Sequence, residues 1–263
     1  LALLPTAISA TSTPRPLTRV SLDLGKLWRN SPIAVFAVLM VGVSNAAFAT
    51  LAAVYGARIG LSLGEIALFA SIPILAGAAS QIPVGIVSDR LDRRKVLVAV
   101  TVLAMLADAL FLFTGLTQAL AVLVLSAFFG ATVFAMYPVI VAHASDHAEP
   151  GSFIQVSGGL LLVFGIGSIV GPTVAGFAMT TFGASSLFAV TGMAHMLLLL
   201  FALVRLRIAP AVAAVDKVAF QSKPLARSST PETAALAAGE TETDAHPPET
   251  PKADHGSISS RKE

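Results

Sequence analysis

Residues 85–107 read GIVSDRLDRRKVLVAVTVLAMLA, and two features of this stretch decide the fold. Charged residues crowd into positions 89–95, and then no charge appears from Val96 to Ala107. The apolar run shows no alternation, whereas a membrane β-strand alternates over about ten residues. A helix crossing the hydrocarbon core of a bilayer needs about 20 mostly apolar residues. The stretch therefore reads as the end of one membrane helix, a short charged link and the start of the next.

Five more apolar segments surround this one. The pattern predicts spans at Ile33–Tyr55, Glu65–Val87, Val96–Thr114, Ala119–Val141, Phe153–Met179 and Ser186–Val204, with a tight turn from Gly115 to Gln118. Of the 263 residues, 55% are hydrophobic and 12% are charged, and the mean hydropathy is +0.81. A soluble domain carries roughly 25% charged residues, so much of this chain cannot face water. Its predicted class is an all-α membrane protein, a bundle of six transmembrane helices.

The net charge is only +2; where the basic residues sit matters more. Arg15, Arg19, Lys26 and Arg29 precede the first span, with Trp28 at an interface position. Arg90, Arg93, Arg94 and Lys95 lie between the second and third spans, and Arg205 and Arg207 follow the sixth. The opposite side has Arg58 alone. Basic loops stay cytoplasmic. The predicted protein is thus multi-pass in the plasma (inner) membrane, with both ends of the fragment in the cytoplasm. The chain starts at Leu1, and LALLPTAISA reads as the end of a helix rather than a signal peptide. On this reading residues 1–32 are a cytoplasmic linker and 33–207 the membrane domain. Residues 208–263 are a disordered tail, too poor in periodic apolar residues to offset the entropy of ordering, with a short interfacial helix as an option at 208–221.

Several chemistries are excluded or unsupported. Without cysteine there is no disulfide, thiolate nucleophile or Cys-held metal. No P-loop, GxSxG or HExxH element occurs, and the basic residues form no nucleic-acid patch. The chain is read as no enzyme, with no cofactor and no metal site.

The 85–95 segment resembles the signature loop of the major facilitator superfamily, G-x-x-x-D-R-x-G-R-R. It matches at Gly85, Asp89, Arg90, Arg93 and Arg94 and departs at Asp92, where the family usually has Gly; the departure puts a tight turn there in doubt. Looser copies of the loop are typical of the second six-helix half. The resemblance implies the C-terminal half of a general-substrate-transporter fold, with a missing N-terminal half as partner. It also implies that Asp89 pairs with a helix end in that half, latching one conformational state. The arginines can hold carboxylates or lipid phosphates. Residues 137–176, YPVIVAHASDHAEPGSFIQVSGGLLLVFGIGSIVGPTVAG, look like the tenth and eleventh helices of YcaD-like bacterial permeases, a subgroup of that superfamily.

Further site expectations follow. In this family the first and fourth helices of each half line the pathway, which implies pathway roles for Asn45, Tyr55 and Tyr137, with Gln81 in the second span added. Interhelical hydrogen bonding and interfacial packing are the alternatives for each. Gly167 and Gly171 form a GxxxG pair suited to close packing, and Pro172 can bend the helix; whether this helix bends in transport or only packs stays open. Asp108 is the acid well inside a span and a proton-site candidate, although its helix, like that of His195, has an outer counterpart in the family. His143, Asp146 and His147 are expected to be solvated or to gate. The implied function is secondary transport of a small organic solute by alternating access, coupled to an ion, with the proton as the candidate. A non-transporting scaffold or sensor and a dimerising half-transporter remain as alternatives.

Overall fold

The computed structural model describes residues 23–149 and 152–208. Most of the predicted linker 1–32, the predicted tail beyond Ile208 and almost all of the optional helix at 208–221 lie outside the described residues. Within them are seven helices: α1 (Leu24–Asn30), α2 (Pro32–Arg58), α3 (Leu63–Arg90), α4 (Arg93–Phe113), α5 (Ala119–Asp146), α6 (Phe153–Phe182) and α7 (Ser186–Ile208). The last six are long and apolar enough to cross a membrane. They coincide with the six predicted spans, most of them extended by a turn or less at one or both ends.

Local chemistry explains where the helices begin. The Asp23 carboxylate accepts from the Lys26 N–H at 2.8 Å and starts α1. Pro32 opens α2 at its first turn, where the missing N–H costs nothing. Ser62 and Glu65 form a reciprocal capping box at the start of α3. Asp92 caps α4, accepting from the Arg94 N–H at 3.0 Å. The turn expected at Gly115 is present, with φ +58°, a conformation that glycine adopts without strain. Pro73, Pro83, Pro138 and Pro172 all sit inside continuous helices, as membrane helices permit when neighbours satisfy the freed carbonyls.

Packing follows a repeat. The most extensive contacts are α2 on α6 and α3 on α5; next come α4 on α5, α2 on α7, and α4 on α7. Exchanging the first three spans for the last three maps each of these pairs onto another, or onto itself, the pattern of repeated three-helix units in transporters. Glycines set the closest approaches. A Cβ on Gly42 would lie 2.5 Å from the Phe164 carbonyl oxygen, and one on Gly167 or Gly171 would collide with the Leu39 or Val43 carbonyl. A Cβ on Gly130 would strike the Pro73 backbone, and one on Gly77 would meet Phe134. Backbones touch directly at both crossings, as small residues allow in membranes. Ser80 strengthens the second crossing by donating to the Ala131 carbonyl at 2.6 Å.

Burial is uneven. The apolar stretch of α2 is 61% buried and that of α5 56%, against 17% for α3 and 28% for α6. Phe48 and Tyr55 on α2, Phe69 on α3, Phe111 on α4, Phe129 on α5 and Phe188 on α7 meet in one aromatic cluster. Phe111 and Phe188 stack at 4.0 Å.

Candidate functional site

The loop between α3 and α4 is built around Arg93. Its side chain is only 1% exposed, yet it holds two carboxylates: Nε donates to Asp146 at 2.8 Å, and a terminal amine reaches Asp89 at 3.1 Å. Asp89 is the last-turn acid of α3 and Asp146 ends α5, so a single guanidinium ties three helices together. The Asp146 side chain is itself 2% exposed. Sequence reading placed Asp146 in a solvated or gating group with His143 and His147; the structure places it in a buried ion pair. Nothing in the sequence joins residues 53 positions apart; the α4·α5 packing does.

Arg94 is held differently. It bonds the Asp92 carboxylate through Nε at 3.1 Å and a terminal amine at 2.9 Å. Asp92 therefore does two things at the position where the resemblance led us to expect glycine. Its φ of −63° needs no glycine, and its carboxylate caps α4 while pairing with Arg94. Burial pushes the Asp92 carboxyl up. The bonds from the Arg94 side chain and N–H, with the charges of Arg94 and His143, outweigh that and hold it below the usual carboxylate range. Gly85 is buried on α3, and Arg90 is exposed beside the loop. Lys26 pairs with Glu149 at 2.8 Å, joining α1 to the connection after α5. His143 is buried and its ring lies 4.6 Å from that of His147. Among the described residues no group of three or more acidic, His or Cys side chains could hold a metal.

The residues assigned to the pathway are separated by their environments. Asn45 is buried in α2, and neither its amide nitrogen nor its oxygen has a hydrogen-bond partner. Gln81 is buried and donates to the Phe134 carbonyl at 3.5 Å. Tyr137 is half-buried, edge-on to Phe164 at 5.4 Å. Tyr55 is enclosed by Phe69, Phe111 and Phe188, so in this conformation it packs rather than facing an opening. Pro172 is half-buried within an unbroken α6.

Asp108 on α4 and His195 on α7 meet each other. The His195 Nδ1 lies 2.6 Å from one Asp108 oxygen, and the Thr191 hydroxyl donates to the other at 2.6 Å. Sequence reading singled out both residues but did not pair them. A carboxylate and an imidazole on separate spans are the available signal; their register is not written in either helix.

Comparison with known proteins follows the same lines. The family model described as Major Facilitator Superfamily matches residues 33–241. An uncharacterized MFS-type transporter of Enterobacter sp. (strain 638) is 28% identical over 160 residues, covering 61% of this chain and 41% of that protein. The uncharacterized MFS-type transporter YcaD of Salmonella arizonae is 26% identical with the same coverage. The chain spans about two fifths of the length of these curated relatives.

Proposed function

The chain belongs to the major facilitator superfamily, and from that premise we propose that it is one six-helix half of a secondary transporter that moves a small organic solute by alternating access. The observation that carries the half-transporter reading is the pair of open apolar faces on α3 and α6. Leu75 and Ile82 on α3, and Ile169 and Phe177 on α6, are each 63–74% exposed, while α2 and α5 beside them are well buried. A second six-helix unit would cover those faces and enclose a path along α2 and α5, with the solute site near the midplane.

On this reading Asn45, Gln81 and Tyr137 line the path. The unpartnered amide of Asn45 supports a polar ligand, because a buried amide without hydrogen bonds costs about 1–3 kcal/mol and a solute group would satisfy it. Tyr55 is left to packing. The Arg93 network would hold the cytoplasmic ends of α3, α4 and α5 as one block. Asp89, partly exposed, would face the positive end of a helix in the other unit. Basic residues at the ends carrying Lys26, Arg93 and Arg205 support a cytoplasmic placement of those ends in the inner membrane. Residues 1–32 would then be the linker from the preceding half, and 208–263 the cytoplasmic tail.

The test is reconstitution of the whole polypeptide in vesicles against a panel of small organic solutes. Simultaneous replacement of Asn45, Tyr137 and Asp89 should abolish accumulation; transport unchanged by that triple replacement removes the site assignment.

A further inference from the structure

From the contact between α4 and α7 we infer that Asp108, Thr191 and His195 form a proton-binding site inside the membrane, away from the α2–α5 path. Asp108 lies fifteen residues beyond Arg93, roughly 22 Å along α4 at 1.5 Å per residue, and five residues before Phe113. His195 stands well inside α7. Both side chains are buried, His195 completely. Thr191 and His195, one turn apart on α7, grip the two carboxylate oxygens from the same side. Gly192 makes room: a Cβ there would sit 3.2 Å from the Asp108 Cβ. The second imidazole nitrogen, Nε2, is buried without a partner.

Charge decides what this arrangement holds. A carboxylate beside a neutral imidazole carries a net charge of −1. One added proton makes the pair neutral, either as imidazolium with carboxylate or as carboxylic acid with imidazole; no other bond forms or breaks. An uncompensated ion buried in an apolar medium is strongly disfavoured, and a single proton on this pair cancels its net charge. No compensating charge faces it. The remaining charged or titratable groups on the packed helices are Tyr55 and Arg58 on α2, Glu65, Asp89 and Arg90 on α3, and Arg93, Arg94 and Lys95 at the start of α4. On α5, Tyr137 lies against Phe164 of α6, and His143 and Asp146 stand at the far end; Arg205 and Arg207 are at the far end of α7, and α6 brings none. Arg58 is already turned to the Met179 carbonyl.

Losing the proton would leave a buried negative charge between α4 and α7, which is relieved by letting water in or by moving the helices apart. The proton thus acts as a clasp on this helix pair. α7 also packs on α2, and α4 on α5, so the clasp reaches both helices assigned to the path. This use in coupling rests on the transport reading; the proton site itself does not.

The test uses the full chain, purified in nanodiscs, with no solute. Infrared pH-difference spectra should contain one band of the pair that follows its single proton, either the carbonyl band of a buried carboxylic acid or the ring band of an imidazolium hydrogen-bonded to the carboxylate. Asp108→Asn should delete that band, His195→Gln should delete or shift it, Thr191→Val should shift it without loss, and Asp92→Asn should leave it untouched. Retention of the band in Asp108→Asn, or an Asp108 band indifferent to His195→Gln, overturns the proposal. Should the variants fail to fold, the wild-type chain labelled with ¹⁵N-histidine decides. The resonances of the fully buried imidazole must shift with pH, by its own protonation or by that of its carboxylate partner, and resonances unchanged across the whole range of the folded protein overturn the site.

Discussion

Removing Arg93 strips the buried Asp146 of its guanidinium, and removing Asp146 leaves the buried Arg93 to the partly exposed Asp89. Such losses cost about 3–5 kcal/mol, whereas replacing both partners with apolar residues of similar volume is close to neutral. Arg93→Met and Asp146→Asn should each lower the thermal midpoint of the detergent-solubilised chain strongly, and Arg93→Met with Asp146→Leu should recover most of the loss. Asp92 allows a finer test. As an N-cap it should be worth about 1 kcal/mol against alanine, but only a few tenths against glycine. Glycine also forfeits the Arg94 pair, so Asp92→Gly should fall between wild type and Asp92→Ala in the same melting experiment. Because the Asp92 carboxyl is held below its usual range, its contribution is fully present above the unfolded value of about 3.9. It is lost as pH falls through the lower folded value. Melting curves should therefore respond to Asp92→Asn at neutral pH and converge with wild type in strong acid.

At the scale of helices, α2 and α6 meet backbone to backbone, and glycines on one helix divide sharply in what they tolerate. Gly171→Ala would drive a Cβ into the Val43 carbonyl, and Gly42→Ala into that of Phe164; overpacking of this kind costs about 1–3 kcal/mol. Gly165 and Gly176 on α6 face open space, so alanine there should stabilise by up to about 1 kcal/mol through helix propensity. Thermal unfolding of the four single variants checks both signs. The GxxxG spacing in α6 was legible from sequence, as were the six spans, because length and apolarity alone decide what can sit in lipid. Gly42 was not singled out, since nothing local distinguishes a glycine that meets a backbone from one that meets nothing. Asp146 escaped for the same reason: its partner comes from another helix.

For the molecule as a whole, the open faces of α3 and α6 make a prediction that the absence of cysteine from these 263 residues suits. In the whole polypeptide, a cysteine at Leu75 or Ile169 should crosslink to engineered cysteines outside this six-helix unit, within one chain. Cysteines at Leu103 on α4 or Leu200 on α7, also exposed, should instead react with lipid-soluble reagents and form no such crosslink. Crosslinks between two copies of the chain would replace the single-polypeptide reading with a dimer of halves.

By itself the sequence determined the solvent this protein lives in, the number and limits of its spans and the superfamily loop at 85–94, because these depend on local apolarity, charge placement and spacing. Which buried charges find one another was decided only in three dimensions. Arg93 reached Asp146, and Asp108 reached Thr191 and His195, through the rotation and register of packed helices. At the α4–α7 contact Gly192 leaves room for the Asp108 side chain, and no single helix encodes that match. Leu75 and Ile169 show the same division from the outside. The sequence marks both as apolar; only the packing leaves them on faces that a second six-helix unit could cover.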